Sequence, residues 1–90
     1  MNELSQEVLI SNKRGLHARA SAKFVTLASG LPAQITVRKD GSEVTGTSIM
    51  GLMMLGAAMG DSIVISATGP EAHDALGKLV MLVEDKFGEE

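Results

Sequence analysis

One of the two histidines in the chain, His17, lies where a turn gives way to a helical pattern, in the segment Gly15-Leu16-His17-Ala18-Arg19. The first turn of a helix presents free backbone N–H groups and a partial positive charge, which together bind anions. The same positive end disfavours imidazolium, and a neutral imidazole keeps a lone pair for nucleophilic attack. The position therefore predicts a histidine that can act as a nucleophile beside an anion site.

The residues that follow His17 are suited to hold the anion that it would acquire. A phosphoryl group on the nearer ring nitrogen would meet the amides of Ala18 and Arg19, and the Arg19 guanidinium would add a charge-assisted contact. Gly15 allows a close approach of a partner or unusual backbone angles. The alternative is that His17 only caps the helix, although histidine is not among the favoured capping residues. The residues alone leave both interpretations open.

Ser48 stands directly before a short apolar helical turn. Its hydroxyl is predicted to cap that helix, and a phosphate at the same position would also be well placed. Four of the 6 methionines follow closely, at positions 50, 53, 54 and 59. Methionine can fill a small core, but so short a helix cannot bury every side. Two roles therefore stay open for Ile49, Met50 and Met53, which are core packing and the docking of a partner protein.

Other chemistry finds little support in the sequence. His73 lies off the apolar stripe of the last predicted helix, and we interpret it as a solvated surface residue. A metal site built from His17 and His73 has no supporting pattern. The chain has no glycine-rich nucleotide loop, paired-carboxylate motif or nucleophile elbow. We expect neither a metal nor a cofactor.

The elements that position these segments follow from the spacing of apolar residues. A first strand is predicted around Val8 and Ile10, and a helix through Phe24 and Leu27 that ends at Gly30 as a left-handed cap. A second strand alternates apolar and polar residues over 34–38. Asp-Gly at 40–41 is a strong hairpin signal, which predicts a third strand over 42–45.

The second half of the chain continues with a strand and a helix. Gly60-Asp61 turns the chain into a fourth strand, with the apolar residues 63, 65 and 67 on one face. Gly69-Pro70-Glu71 is predicted to open the last helix, with the proline in its first turn. The apolar positions of this helix recur at helical spacing from Ala72 to Phe87.

The element order is strand, helix, strand, strand, helix, strand, helix. Strands that are half polar, with a hairpin between two of them, favour a four-stranded antiparallel sheet with one solvated face. The three helices must then lie together on the other face. The sequence predicts an α+β fold in two layers.

Length and composition narrow the class of protein. A chain of 90 residues corresponds to one domain, 1–90, and the absence of cysteine fits a reducing, cytoplasmic compartment. The net charge of −3, from 8 basic and 11 acidic residues, and an aromatic content of 2% argue against nucleic-acid binding. The start of the chain lacks a signal-peptide layout, and the apolar stretch Ile49–Gly60 is shorter than the roughly 20 residues of a membrane span. We expect a cytoplasmic monomer without membrane insertion.

The chain resembles the HPr family of phosphotransferase-system carriers. Residues 15–19 are similar to the family's signature around its phosphorylated histidine, and Thr47-Ser48-Ile49-Met50-Gly51-Leu52 is similar to its regulatory-serine segment. The resemblance runs from about Glu7 to Phe87. Residues 12–19 and 67–70 are also similar to the nitrogen-related branch, NPr. One departure is Ala20, where many members have proline.

The resemblance implies both a fold and a function. The fold is an open-faced β-sandwich of four strands with three helices on one side. The function is that of a stoichiometric phosphoryl carrier rather than an enzyme. Enzyme I, charged by phosphoenolpyruvate, would phosphorylate His17 on a ring nitrogen, Arg19 would orient and stabilise the phosphoryl group, and an enzyme IIA protein would receive it. An HPr serine kinase/phosphorylase would modify Ser48.

Two alternatives to the carrier stay open. One is an HPr-shaped regulatory interaction protein that signals through Ser48 alone, which the presence of His17 disfavours. The other is a small-molecule-binding regulatory module with a ferredoxin-like order of elements, which leaves the segment 15–19 unexplained. Sugar transport and nitrogen-type regulation are both compatible with the carrier.

Overall fold

Four strands form one antiparallel sheet in the computed structural model, which describes residues 3–89. The strands are β1 (Glu3–Leu9), β2 (Gln34–Lys39), β3 (Ser42–Thr45) and β4 (Ser62–Thr68). Their order across the sheet is β1-β4-β2-β3. Val8 pairs with Ile63, and Ile65 pairs with Val37, so the central strand β4 aligns its buried side chains with those of both neighbours. This register gives the sheet one apolar face.

The hairpin between β2 and β3 turns at Asp40 and Gly41, as the sequence predicts. Both residues have positive φ, at 50° and 86°. Lys39 pairs directly with Ser42 across the turn. Two left-handed residues give a turn whose twist matches the twist of the flanking strands, which is why Asp-Gly is favoured there.

Three helices cover the apolar face of the sheet. They are α1 (Ala18–Ser29), α2 (Ile49–Met54) and α3 (Ala72–Glu84). Phe24 of α1, Leu52 of α2 and Leu79 of α3 are fully buried and belong to one core with the inward residues of the strands. The predicted α+β fold, with four antiparallel strands and three helices on one side, is confirmed.

Gly30 does not form the predicted left-handed cap, because its φ is −88°. The last turn of α1 tightens instead, with Gly30 N–H donating to the Leu27 carbonyl and Leu31 N–H to the Ala28 carbonyl, each at 3.1 Å. Bonds that reach back three residues satisfy the last carbonyls of the helix without a left-handed residue.

The limits of the last helix also differ from the prediction. Pro70 lies before α3 rather than in its first turn, because Glu71 is the N-cap and is left-handed, with φ 56°. Phe87 lies beyond the helix, in the 3₁₀ turn Lys86–Gly88, with φ 55°. Its side chain is nevertheless only 1% exposed, so it continues the apolar stripe after the helix has ended.

The first strand ends one residue before Ile10. This side chain is fully buried, and its backbone still exchanges hydrogen bonds of 2.8 Å with Gly60 and Asp61. The pairing therefore continues into the turn that precedes α1. Within residues 3–89, no helix is both long and apolar enough to cross a membrane.

Candidate functional site

The turn before α1 is built around Gly15. Its φ is +64°, and a Cβ there would lie 2.3 Å from the carbonyl oxygen of Ala57. The next residue, Leu16, donates its N–H to that same oxygen at 2.9 Å. Glycine is therefore required for its backbone angle and for a close approach, and what it approaches is the loop after α2 of its own chain.

His17 is the N-cap of α1. Its backbone is extended, with φ −75° and ψ 179°, and its ring nitrogen Nδ1 accepts a hydrogen bond of 3.2 Å from the Arg19 N–H. A backbone N–H can only donate, so in neutral His17 the lone pair lies on Nδ1 and the proton on Nε2. His17 therefore does cap the helix, and the capping atom is a nitrogen whose lone pair is directed at the positive end of that helix.

The other ring nitrogen of His17 contacts a carboxylate from the far end of the chain. Nε2 lies 2.6 Å from Oε2 of Glu89, and the two side chains are only 16% and 14% exposed. The second carboxylate oxygen, Oε1, accepts a hydrogen bond of 3.2 Å from Nδ2 of Asn12. Asn12 is fully buried, and its Nδ2 also donates to the Gly15 carbonyl at 2.9 Å.

Sequence reasoning missed Glu89. It lies 72 residues from His17 along the chain, and no spacing or local pattern connects the two. Its position depends on the tertiary anchoring of the C-terminal segment. Phe87 is buried in the core, and its carbonyl accepts a hydrogen bond of 2.7 Å from Nζ of Lys23 on α1.

The Glu89 carboxylate stands among basic groups. Its partial burial would raise the pKa of Glu89, but hydrogen bonds from His17 and Asn12 and the charge of Lys23 outweigh that and lower it. The basic side chains line a recess of about 400 Å³ next to Glu89 and Gly88; they are Lys13, Arg14, Arg19 and Lys23. With four basic side chains and one carboxylate, this recess is electropositive and suited to an anion; Glu89 and Arg19 line it, and His17 does not.

Arg19 and Ala18 form the first turn of α1, and both are exposed. The structure thus brings the predicted acceptor, His17, together with the Arg19 amide at the helix start. The Arg19 side chain lines the recess beside Glu89. Ser48 lies apart from this group, at the start of a second helix.

Ser48 is the N-cap of α2, and its Oγ accepts a hydrogen bond of 2.9 Å from the Gly51 N–H, so the predicted cap is confirmed. The helix packs against α1, and only Leu52 of its six residues is buried. Met50 is 69% exposed, Met53 is 41% exposed and Ile49 is 40% exposed. The core-packing role that the sequence left open is therefore wrong for Met50, and the side chains of Ile49 and Met53 are only partly buried.

Two further methionines that follow the docking candidates along the chain are exposed as well. Met54 and Met59 are also largely exposed. The loop that carries Met59 begins after α2 and includes Ala57, whose carbonyl holds the turn before His17. The apolar surface is thus joined to the histidine segment through the backbone.

His73 is exposed on α3, as predicted, and residues 3–89 contain no group of three or more histidines, cysteines or acids arranged for a metal ion.

Comparison with known proteins gives one consistent match. The model of the PTS HPr component phosphorylation site matches residues 4–85. Phosphocarrier protein HPr of Cupriavidus necator is 41% identical over 96% of this chain and 97% of its own. Phosphocarrier protein NPr of Shewanella violacea is 40% identical over 99% of this chain and 98% of its own. The crystal structure of HPr from Thermoanaerobacter tengcongensis superposes with a TM-score of 0.88 and is 48% identical, covering 100% of this chain and 99% of that one.

Proposed function

The chain belongs to the HPr family of phosphocarrier proteins of the phosphotransferase system, and from that premise we propose that His17 is the residue that carries the phosphoryl group. The observation that carries the proposal is the capping geometry. Nδ1 of His17 points its lone pair at the first turn of α1, where the Arg19 N–H meets it at 3.2 Å. Nε2 is taken by Glu89. We therefore propose Nδ1 as the attacking atom.

The transfer step follows from this geometry. The Nδ1 lone pair forms the bond to phosphorus while the bond from phosphorus to the donor breaks, and the donor group leaves with the electron pair of that bond. The Arg19 N–H, which held Nδ1, turns to a phosphoryl oxygen, and the exposed Ala18 N–H lies in the same helical turn. The guanidinium of Arg19 adds a charge-assisted contact. Positioning and electrostatics are what phosphoryl transfer requires.

The partners follow from the family. We propose that Enzyme I, charged by phosphoenolpyruvate, donates the phosphoryl group and that an enzyme IIA protein receives it. The chain is then a stoichiometric carrier rather than a catalyst. We also propose that residues 1–90 act as one domain and as a monomer in the cytoplasm. Family membership removes the support for a small-molecule-binding module.

The surface around α2 is proposed as the place where these partners dock. Ile49, Met50 and Met53 present apolar surface on a helix that packs against α1, which carries His17 at its start. Ser48 stands at the edge of that surface as the N-cap. We propose that a serine kinase/phosphorylase of the HPr type regulates the carrier by phosphorylating Ser48, since a new charge opposes a desolvated contact.

One labelling experiment tests the acceptor. The protein is incubated with Enzyme I and labelled phosphoenolpyruvate, and the label is then treated with acid and with base. The expected label is acid-labile and base-stable, as phosphohistidine is. His17→Ala should abolish it, and His73→Ala, the matched control on the exposed face of α3, should not. An acid-labile label that persists in the His17 variant would refute the proposal.

A further inference from the structure

We propose that Glu89 is a positioning residue for phosphoryl transfer, because its carboxylate holds His17 in the tautomer that leaves Nδ1 unprotonated. The inference rests on the proposed function of His17. It concerns the opposite side of the ring from the attacking atom, where Oε2 of Glu89 lies 2.6 Å from Nε2. A carboxylate can only accept there, so it keeps the ring proton on Nε2.

The two oxygens of Glu89 have different partners, and this gives the contact its geometry. Oε2 faces His17, and Oε1 accepts from Nδ2 of Asn12 at 3.2 Å. The same Nδ2 donates to the Gly15 carbonyl at 2.9 Å. Asn12 is fully buried, and its backbone carbonyl accepts from the Gly15 N–H at 3.2 Å. The carboxylate is therefore tied to the same turn that positions the histidine.

The segment that carries Glu89 is anchored on the side away from the ring. Phe87 is buried, and Lys23 donates to its carbonyl at 2.7 Å. These contacts hold the chain two residues before Glu89 against α1. The carboxylate thus reaches Nε2 from an anchored segment of backbone, as a positioning group requires.

The carboxylate also acts on charge during the reaction. When Nδ1 bonds to phosphorus, the ring becomes an imidazolium with its proton still on Nε2. Glu89 then faces a cation across a short hydrogen bond and stabilises it, while no proton moves between them. The phosphoryl group develops on the opposite nitrogen, beside the helix amides. Basic side chains around the recess, Lys13 and Lys23 among them, offset the negative charge of the carboxylate for the incoming anion.

Two variants of Glu89 separate positioning from simple packing. In Glu89→Gln, Asn12 donates to the side-chain oxygen, so the new amide N–H₂ faces Nε2 and donates to it. The ring proton is then driven to Nδ1, where it blocks attack. Glu89→Ala removes the acceptor and leaves only the longer contact from the Arg19 N–H to Nδ1, at 3.2 Å, to favour the Nε2–H tautomer. Glu84→Gln is the matched control, because it removes the same charge from the exposed end of α3.

The first measurement is the ¹⁵N NMR spectrum of the His17 ring in the unphosphorylated protein. We expect the Nε2–H form in the wild type and in Glu84→Gln, a reduced excess of that form in Glu89→Ala, and the Nδ1–H form in Glu89→Gln. The second measurement is single-turnover transfer from saturating phospho-Enzyme I. The rate constant should fall about tenfold in Glu89→Gln, less in Glu89→Ala and not in the control, with the half-saturating concentration unchanged.

The outcomes divide cleanly. If the His17 ring of Glu89→Gln keeps the wild-type tautomer, or if Glu89→Gln transfers as fast as the wild type or faster, the inference is overturned and the proposed function is left intact. A wild-type protein that takes no label on His17 overturns the proposed function instead. The NMR measurement needs no donor protein, so it reports on the contact in either case.

Discussion

Replacing Gly15 by alanine tests the turn that positions His17. Alanine in the left-handed region costs about 1–2 kcal/mol. It recovers about 0.4–1 kcal/mol because the unfolded chain loses freedom. The new Cβ would also lie 2.3 Å from the Ala57 oxygen and 2.9 Å from the Ala58 Cα, so backbone must move. Overpacking of this kind costs about 1–3 kcal/mol more.

Gly56 provides a matched control for the backbone angle. Its φ is +65°, against +64° at Gly15, but a Cβ there would have nothing within 4 Å. Gly56→Ala should therefore cost only the net conformational penalty, about 0–1.6 kcal/mol. Gly15→Ala should exceed it by about 1–3 kcal/mol, the cost of the steric clash. In a domain of this size that difference lowers the melting temperature by about 4–8 °C for each kcal/mol.

Urea unfolding of both variants measures this difference in the free energy of unfolding. Phosphoryl transfer by the folded fraction is measured on the same preparations. We expect Gly15→Ala to slow transfer, because moving the contact with Ala57 displaces the backbone two residues before His17. Gly56→Ala should transfer at the wild-type rate. Equal free-energy costs for the two variants would refute the steric argument. A wild-type transfer rate in Gly15→Ala would show that the turn at Gly15 does not affect phosphoryl transfer.

Other predictions concern the site and its surroundings. Arg19→Ala should change the free energy of unfolding by no more than about 0.5 kcal/mol, since Arg19 is exposed, but should slow transfer; equal rates would remove Arg19 from the site. Met50→Asp should weaken binding to Enzyme I in calorimetry without lowering the melting temperature, whereas Leu52→Asp in the core should unfold the domain. Ser48→Asp should keep the cap and the melting temperature but slow transfer, and an unfolded variant would contradict the cap. The pKa of Glu89 in the folded protein lies below its ordinary 4.5, so the stability that this carboxylate contributes is present above that pH and is lost in stronger acid. In an acid titration followed by unfolding, Glu89→Gln should therefore lose less free energy of unfolding than the wild type.

Features set by neighbouring residues could be read from the sequence. Asp40 and Gly41 form the hairpin turn because their own backbone preferences decide it. Ser48 caps α2 because its hydroxyl reaches a free N–H three residues on. The inward apolar residues of the strands also follow from an alternation that any buried sheet face requires.

Features decided by competing local geometries or by distant contacts could not be predicted from the sequence. Gly30 can be left-handed, but a tightened last turn satisfies the same carbonyls. At the start of α3, Glu71 adopts the left-handed angle, and the proline stays outside the helix. Glu89 reaches His17 only because Phe87 enters the core and Lys23 binds its carbonyl. No local pattern encodes an encounter that depends on the packed core.

The helix cap and the proposed nucleophile are one and the same group at His17. A serine or aspartate cap would hold the helix amide with an oxygen that has no role in transfer. His17 holds it with the nitrogen that is proposed to attack, across a distance of 3.2 Å that marks a weak bond. In the proposed transfer, the Arg19 N–H exchanges that nitrogen for a phosphoryl oxygen, so the donor is satisfied in both states. Loading and unloading therefore leave the helix start intact, and a carrier that is used repeatedly does not have to refold its site between partners.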